Sequence, residues 1–176
     1  MDSFFFSEIK PRYYDSIRQY REEMLKDNSE FDGCSSLDRY EDIEKWNLNC
    51  KLFESHSTVP PGYSIGYEYL YMCDDDVIGM LNMRPEALNH PFLKQYGGHI
   101  GYSVKPSCRK KGIGTMMLRD FLSTCIKKYK LDKVLITCFD DNIASKKVII
   151  NNGGEFENSI IYPPTDSILE RYWIRL

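Results

Sequence analysis

Apolar residues recur along this chain with two periods, and the switches between them predict an α/β order. Phe4 to Ile9 is a short aromatic-rich run, the mark of a first strand. Pro11 then opens a helix from about Arg12, because Tyr13, Ile17, Tyr20 and Met24 fall at i, i+4, i+7 and i+11 on one stripe. Past a polar link containing Gly33, Ser35 and Asp38 have the form of a capping box, and Ile43, Trp46, Cys50 and Phe53 make a second stripe. Packing is the simpler role for these aromatics, although a helix pair of this kind can also line a substrate cleft.

Ser55 to Gly62, with Pro60 and Pro61, reads as a loop. Gly66 to Met72 and Val77 to Met83 are β-prone, and Asp74-Asp75-Asp76 between them predicts a hairpin. Three aspartates raise the question of a divalent cation, but a turn explains them without further acidic or histidine partners, so no metal is expected. Arg84 to Gly97 is a longer connection, and His99 to Val104 is a buried strand that leads into a helix. That helix carries Leu118, Phe121, Leu122, Cys125, Ile126 and Tyr129 on one side, and Val134 to Cys138 is a fully apolar strand. Asp141 or Asn142 caps the next helix, which ends at Asn152-Gly153-Gly154. Glu155 to Tyr162 and Ile168 to Leu176 finish the chain as strands around a Pro163-to-Asp166 turn. The order is β-αα-βββ-α-β-α-ββ.

With 176 residues and 42% hydrophobic content, one domain spanning 1–176 with a sizeable core is expected. A net charge of −3 argues against a general nucleic-acid or membrane binder and makes Arg109-Lys110-Lys111 a local positive spot. That contrast favours a small anionic ligand. Cysteines at 34, 50, 73, 108, 125 and 138 form no CxxC pair and no zinc spacing, so they read as reduced thiols. The start, MDSFFFSEIK, has no basic n-region and no long apolar run, which predicts neither a signal peptide nor a membrane span and a cytoplasmic location.

The chemistry of the chain is concentrated between His99 and Thr115. Gly112 and Gly114 let the backbone approach a bulky anion, and the helix that follows presents free N–H groups beside Arg109, Lys110 and Lys111. A phosphate or pyrophosphate suits such a place. The bland alternative is a helix start with packing glycines and solvated bases. Neither the Gly-Lys-Ser/Thr ending of a P-loop nor the full dinucleotide fingerprint is present.

These residues resemble those of the GCN5-related N-acetyltransferases (GNAT). That family's pyrophosphate loop has the form Arg/Gln-x-x-Gly-x-Gly/Ala with a Val or Ile five residues earlier, matched here by Arg109, Gly112, Gly114 and Val104. Asn142-Ile143-Ala144-Ser145, followed by Asn152-Gly153, looks like the Asn-x-Ala-Ser helix of its ribosomal-protein and small-molecule branch. Gly97-Gly98-His99-Ile100-Gly101-Tyr102 and Arg171-Tyr172-Trp173-Ile174 resemble an uncharacterised group of predicted acetyltransferases.

The resemblance implies a GNAT fold: a single mixed, mostly antiparallel sheet of about seven strands with four flanking helices. It implies acetyl-CoA between the central strand and the Val134-to-Cys138 strand, and a primary amine of a small molecule or peptide as acceptor, with a homodimer as an option. Backbone groups of Ser103 and Val104 would pair with the pantetheine arm. The segment Arg109, Lys110, Lys111, Gly112, Ile113, Gly114 and Thr115 would bind the pyrophosphate, while Asn142 and Ser145 steady the pantetheine. For the last two, an N-cap and an ordinary first-turn serine are equally fair readings.

Direct attack of the amine on the thioester needs a base and an acid. His99 and Glu68 are rival bases, and for both a structural role is the alternative. Where many members carry a tyrosine acid this chain has Ile149, so the resemblance assigns no acid; Tyr102, a phenol on the strand that would line the thioester, is the choice made for it. Cys138 is read as a core thiol and not as a nucleophile. A GNAT-shaped acetyl-CoA sensor that transfers nothing is the reading from a different class.

Overall fold

The structure, a computed structural model, describes residues 3–176. Met1, Asp2 and the side chain of Cys125, on which the readings of the amino terminus and of one helical stripe partly rest, lie outside the described residues. The elements follow the expected order: β1 (Phe4–Ser7), α1 (Tyr14–Lys26), α2 (Ile43–Leu52), β2 (Tyr67–Cys73), β3 (Asp76–Met83) and β4 (Ile100–Val104). They continue as α3 (Ile113–Asp120), β5 (Lys133–Phe139), α4 (Ile143–Asn151), β6 (Glu155–Tyr162) and β7 (Ser167–Arg175). Two compact units result, one made of the chain up to Arg84 with Gly101–Ile113, the other of Pro85–Ile100 with Gly114–Leu176. Seven strands are present among the described residues, divided into a sheet ordered β1-β2-β3-β4 and a sheet ordered β5-β7-β6.

In the first unit the two helical stripes pack as their spacing predicts. Tyr13, Ile17, Tyr20 and Met24 are buried with Ile43, Trp46 and Cys50, and Leu70 and Met72 of β2 join them in one core. The period of two in β2 sends Tyr69 and Tyr71 to the other face, where Phe6 packs on both with ring centroids 6.1 and 4.8 Å away. The turn at Asp74 starts the hairpin, and a bulge between Tyr71 and Met72 shifts the register so that Glu68 stands opposite Asn82. Asp76 accepts from the Ser16 hydroxyl and pairs with Lys105 at 3.0 Å, so the aspartate run serves a turn and a strand end.

The capping box expected at Ser35 and Asp38 is not one. Ser35 and Ser36 both have left-handed backbone, with φ of 47° and 60°. Helix α2 starts later, where the Asp42 carboxylate accepts the N–H groups of Glu44 and Lys45.

In the second unit β7 pairs antiparallel with β5 and β6, with a bulge in β6 between Phe156 and Asn158. Helix α3 is regular only to Asp120, although its apolar stripe predicts a helix to Tyr129. The backbone widens over Phe121–Cys125 and tightens over Ile126–Tyr129. The Ser123 and Thr124 hydroxyls both donate to the Asp120 carbonyl and compete with the amides that would continue the helix. Helix α4 keeps its expected ends: Asn142 Oδ1 accepts the Ser145 N–H at 3.0 Å, and the amides of Gly153 and Gly154 bond back to Ile150 and Ile149. Asn142→Ala should therefore lower the unfolding free energy by about 1 kcal/mol in a urea titration. No change would mean that the cap contributes nothing.

Among the described residues, the segment before β4 meets β5 through one exchanging residue pair, with the Thr137 hydroxyl also donating to the Tyr96 carbonyl at 2.7 Å. His99 N–H donates to the Leu135 carbonyl at 2.8 Å, and Leu135 N–H donates to His99 Nδ1 at 2.9 Å. One pair is not a ladder, which is why β5 remains an edge of its sheet. Arg171 pairs with Glu157 and donates to the carbonyls of Lys94 and Gln95, while the Trp173 ring lies 6.3 Å from that of His99. Within the second unit, Trp173 thus lies beside His99, and Arg171 ties down the segment just before that histidine. Among the described residues, no helix is long and apolar enough to cross a membrane.

Candidate active site

The end of β4 is built to present a loop. Lys105 is buried and paired with Asp76, and Pro106–Cys108 make a tight turn after it. Arg109 then folds back: its Nε donates to the Val104 carbonyl at 2.9 Å, and Nη1 meets the Asp27 carboxylate at 2.8 Å. The Ser29 hydroxyl, with Arg109 behind it, holds Asp27 below the usual carboxylate range. Lys111 donates to the Ser107 carbonyl at 2.8 Å. Arg109 and Lys111 therefore frame the loop while keeping their charge at the surface.

Lys110 and Gly112 have left-handed backbone, with φ of 60° and 79°. A Cβ at Gly112 would meet no atom within 4 Å. Open space thus lies immediately before Ile113, where α3 begins and its first-turn amides have no intrahelical acceptor. An open bend with such amides and two lysines fits a diphosphate, so the residues present suit the pyrophosphate of acetyl-CoA.

A second feature lies in the first unit around Glu68, which is buried. Its Oε2 accepts from Ser35 Oγ at 2.6 Å and from Asn82 Nδ2 at 3.3 Å, and Asn82 also donates to Ser35 Oγ at 3.1 Å. Oε1 is buried with no hydrogen-bond partner among the described residues. Burial pushes the carboxyl up to about 8, against the hydrogen bonds of Ser35 and Asn82 and the charge of Arg84. Burial likewise lowers the Arg84 guanidinium to about 10, with Glu68 and Asp32 opposing, so it stays charged at neutral pH.

The link between α1 and α2 carries Ser35 to this place. Trp46 Nε1 donates to the carbonyls of Cys34 and Ser35 at 3.0 and 3.2 Å. At Gly33 the loop lies against the β4 backbone so closely that a Cβ would stand 2.2 Å from the Gly101 carbonyl oxygen. Beside it, Ser103 Oγ pairs with Tyr20 at 2.9 Å and with the Cys34 thiol at 3.0 Å. The Ser103 side chain is committed to the core, so what it can offer a ligand is its backbone.

Glu68, Tyr102 and Ser103 fall in the first unit and His99 in the second. Tyr102 is half-buried on β4. His99 is buried, and its Nδ1 is taken by the Leu135 N–H, which leaves the proton of the neutral ring on Nε2. Uptake of a further proton at Nδ1 requires that bond to break, so this arrangement suits a sheet-holding histidine better than a base. The Val104 carbonyl is engaged by Arg109, as described. In the second unit, Asn142 and Ser145 are bonded to each other at the start of α4. Burial, with Glu170 adding to it, pushes the Cys138 thiol up to about 11, as befits a core residue.

Sequence reasoning missed Ser35, Asn82 and Arg84. A signal existed for Asn82, the polar residue within the apolar run Val77 to Met83. The turn alone would set Leu81 opposite Glu68; a bulge between Tyr71 and Met72 shifts the pairing by one and brings Asn82 there, so only the polar residue itself was visible in the sequence.

A model of the acetyltransferase (GNAT) domain matches residues 19–155. No curated protein matches the chain by sequence. Among solved structures, it resembles the Salmonella typhimurium acetyltransferase that modifies the N-terminal serine of 50S ribosomal subunit protein L7/L12. That likeness has a TM-score of 0.66 and 18% identity over 99% of this chain and 95% of that one. The RimL ribosomal L7/L12 α-N-protein acetyltransferase in complex with coenzyme A has a TM-score of 0.69 and 17% identity, over 99% and 94% of the two chains. A spermidine N-acetyltransferase chimera from Vibrio cholerae and hSSAT gives 0.63 and 12%, over 98% and 94%. At such identities the likeness is one of fold, while the domain match runs through both compact units. On that match, the chain belongs to the GNAT acetyltransferase family.

Proposed function

We propose that this protein moves an acetyl group from acetyl-CoA to a primary amine of a small molecule or peptide. The observation that carries the reading is the Glu68 carboxyl, buried, pushed up to about 8 by burial, and with one oxygen unpartnered among the described residues. A buried carboxyl with one oxygen held by Ser35 and Asn82 and the other open to a proton suits a general base, a role that a module sensing acetyl-CoA does not need. The whole chain, 1–176, is read as one acetyltransferase domain working in the cytoplasm, without nucleic acid or membrane as partner. Fold neighbours act on a protein N-terminal serine and on spermidine, which keeps both peptide and small amine in the proposal.

Acetyl-CoA, when bound, supplies an acyl group activated as a thioester. Backbone groups of Ser103 and Val104 align the pantetheine arm, Arg109 to Thr115 hold the pyrophosphate, and Asn142 with Ser145 steady the pantetheine from α4. Glu68 takes the proton of the acceptor ammonium through Oε1 and so frees the nitrogen lone pair for attack. The N–H of Val104 donates to the acyl oxygen as it gains charge. As the C–S bond breaks, Tyr102 gives its phenolic proton to the departing sulfur and is reprotonated from the nitrogen, which sheds its second proton as the amide forms.

Calorimetry with acetyl-CoA, followed by a thiol-release screen over amines, tests this directly. Gly112→Val fills the open bend and strains a backbone at φ 79°, so it should weaken acetyl-CoA binding at least about tenfold in a folded protein. Unchanged affinity would place the diphosphate elsewhere.

A further inference from the structure

The two oxygens of Glu68 stand in unlike settings. Oε2 receives a hydroxyl and an amide donor, whereas Oε1 has no partner among the described residues. We propose that Ser35 is the positioning residue for the base: with Asn82 it holds Oε2 of Glu68, so that the ammonium proton is delivered to Oε1. This rests on the reading of Glu68 as the base.

Three observations carry it. Ser35 both donates to Glu68 and accepts from Asn82, and with the Asn82 bond to Oε2 this closes a ring of three hydrogen bonds that fixes the carboxyl plane. Two donors on one carboxylate oxygen occupy its lone pairs, so the protonated acid carries its hydrogen on the other.

The position of the hydroxyl is set from outside the ring. Trp46 clamps the carbonyls of Cys34 and Ser35, and Gly33 presses the same loop onto the backbone of Gly101 and Tyr102. Finally, Ser35 occupies a left-handed backbone, with φ of 47°, where glycine is the comfortable residue. At that position the hydroxyl donates to Glu68 Oε2 at 2.6 Å.

The proton balance is simple: the ammonium becomes an amine, the carboxylate becomes a carboxylic acid, and nothing is oxidised or reduced. The titratable groups around that carboxyl come from several elements. Arg84, after β3, acts on it directly; Glu68 in turn raises Cys34 on the loop, Tyr20 on α1 and Cys50 on α2, while Asp32 acts on Arg84 and Cys34. Of these, Arg84 favours the carboxylate, as do the bonds from Ser35 and Asn82, while burial opposes it. Removing the Ser35 hydroxyl therefore raises the proton affinity of Glu68. The base is then deprotonated only at higher pH.

The test uses the full chain with Ser35→Gly, which relaxes the positive-φ backbone while deleting the hydroxyl, and Ser36→Gly as a control at the neighbouring left-handed residue. The Glu68 carboxyl is titrated by carbon-13 NMR, and kcat/KM is followed against pH with a serine-initiated peptide and with spermidine. In Ser35→Gly the carboxyl should titrate about one pH unit higher than in wild type. The acidic limb of kcat/KM should move with it, activity should return at high pH, and Ser36→Gly should leave both unchanged. A carboxyl that titrates as in wild type, or an equal shift in Ser36→Gly, overturns the role of Ser35 and leaves Glu68 untouched. A carboxyl that moves while the kinetic limb stays overturns Glu68 as the base and the positioning role with it.

Discussion

Glu68→Gln should lower kcat/KM by about 10²–10⁴-fold and erase the acidic limb of its pH profile, with acetyl-CoA affinity kept. Glutamine preserves the shape and an acceptor oxygen for Ser35, so the fold survives, but it has no proton to exchange. In wild type the limb should lie near 8, where burial holds the carboxyl. Stability gives a second readout with a definite sign. The folded state binds this proton more tightly than the unfolded chain, whose carboxyl sits near the ordinary 4.5. That contribution is complete below 4.5 and is lost as pH rises toward 8, with a slope of at most about 1.4 kcal/mol per pH unit. Glu68→Gln should lack the slope and be more stable than wild type at pH 8. A variant with wild-type rate and profile would show that Glu68 is not the base.

Gly33→Ala should be among the most destabilising single changes in the chain. The new Cβ would stand 2.2 Å from the Gly101 oxygen, 2.4 Å from the Gly101 carbonyl carbon and 2.5 Å from the Tyr102 nitrogen, all backbone atoms of β4. No rotamer can relieve such a contact, and φ of 70° adds strain of its own. The loop must lift, taking Cys34 and Ser35 from Ser103 and Glu68. A loss of about 3–5 kcal/mol follows, read as a lower urea midpoint with an unchanged slope. Activity should fall with it, because the oxygen facing Ser35 is released. A loss under about 1 kcal/mol would mean that the loop does not press on β4.

Local chemistry made much of this molecule legible. The stripes of α1 and α2, the hairpin around Asp74 and the cap at Asn142 each depend on residues close in sequence, and each stands where the pattern placed it. What could not be read depends on tertiary contact. Ser35 looked like a helix cap because its neighbours spell one, yet its partner is 33 residues away. The break in α3 after Asp120 has a local cause, but Ser123 and Thr124 choose the Asp120 carbonyl over solvent only in the folded chain. His99 and Glu68 were rival candidates on residue type and place in the sequence. Their difference lies in the bonds each already makes, Nδ1 taken by Leu135 in one and Oε1 unpartnered in the other.

The central claim is acetyl transfer and not merely acetyl-CoA binding, and product analysis tests it most directly. Wild type and Glu68→Gln are incubated with acetyl-CoA and a panel of serine-initiated peptides, polyamines and amino acids, and acetylated product is counted by mass spectrometry against thiol released. The account predicts one acetyl-amine formed per thiol freed by wild type with at least one acceptor, and a rate lower by about 10²-fold or more for Glu68→Gln at equal acetyl-CoA affinity. Tight acetyl-CoA binding with no acetylated amine anywhere in the panel would contradict it.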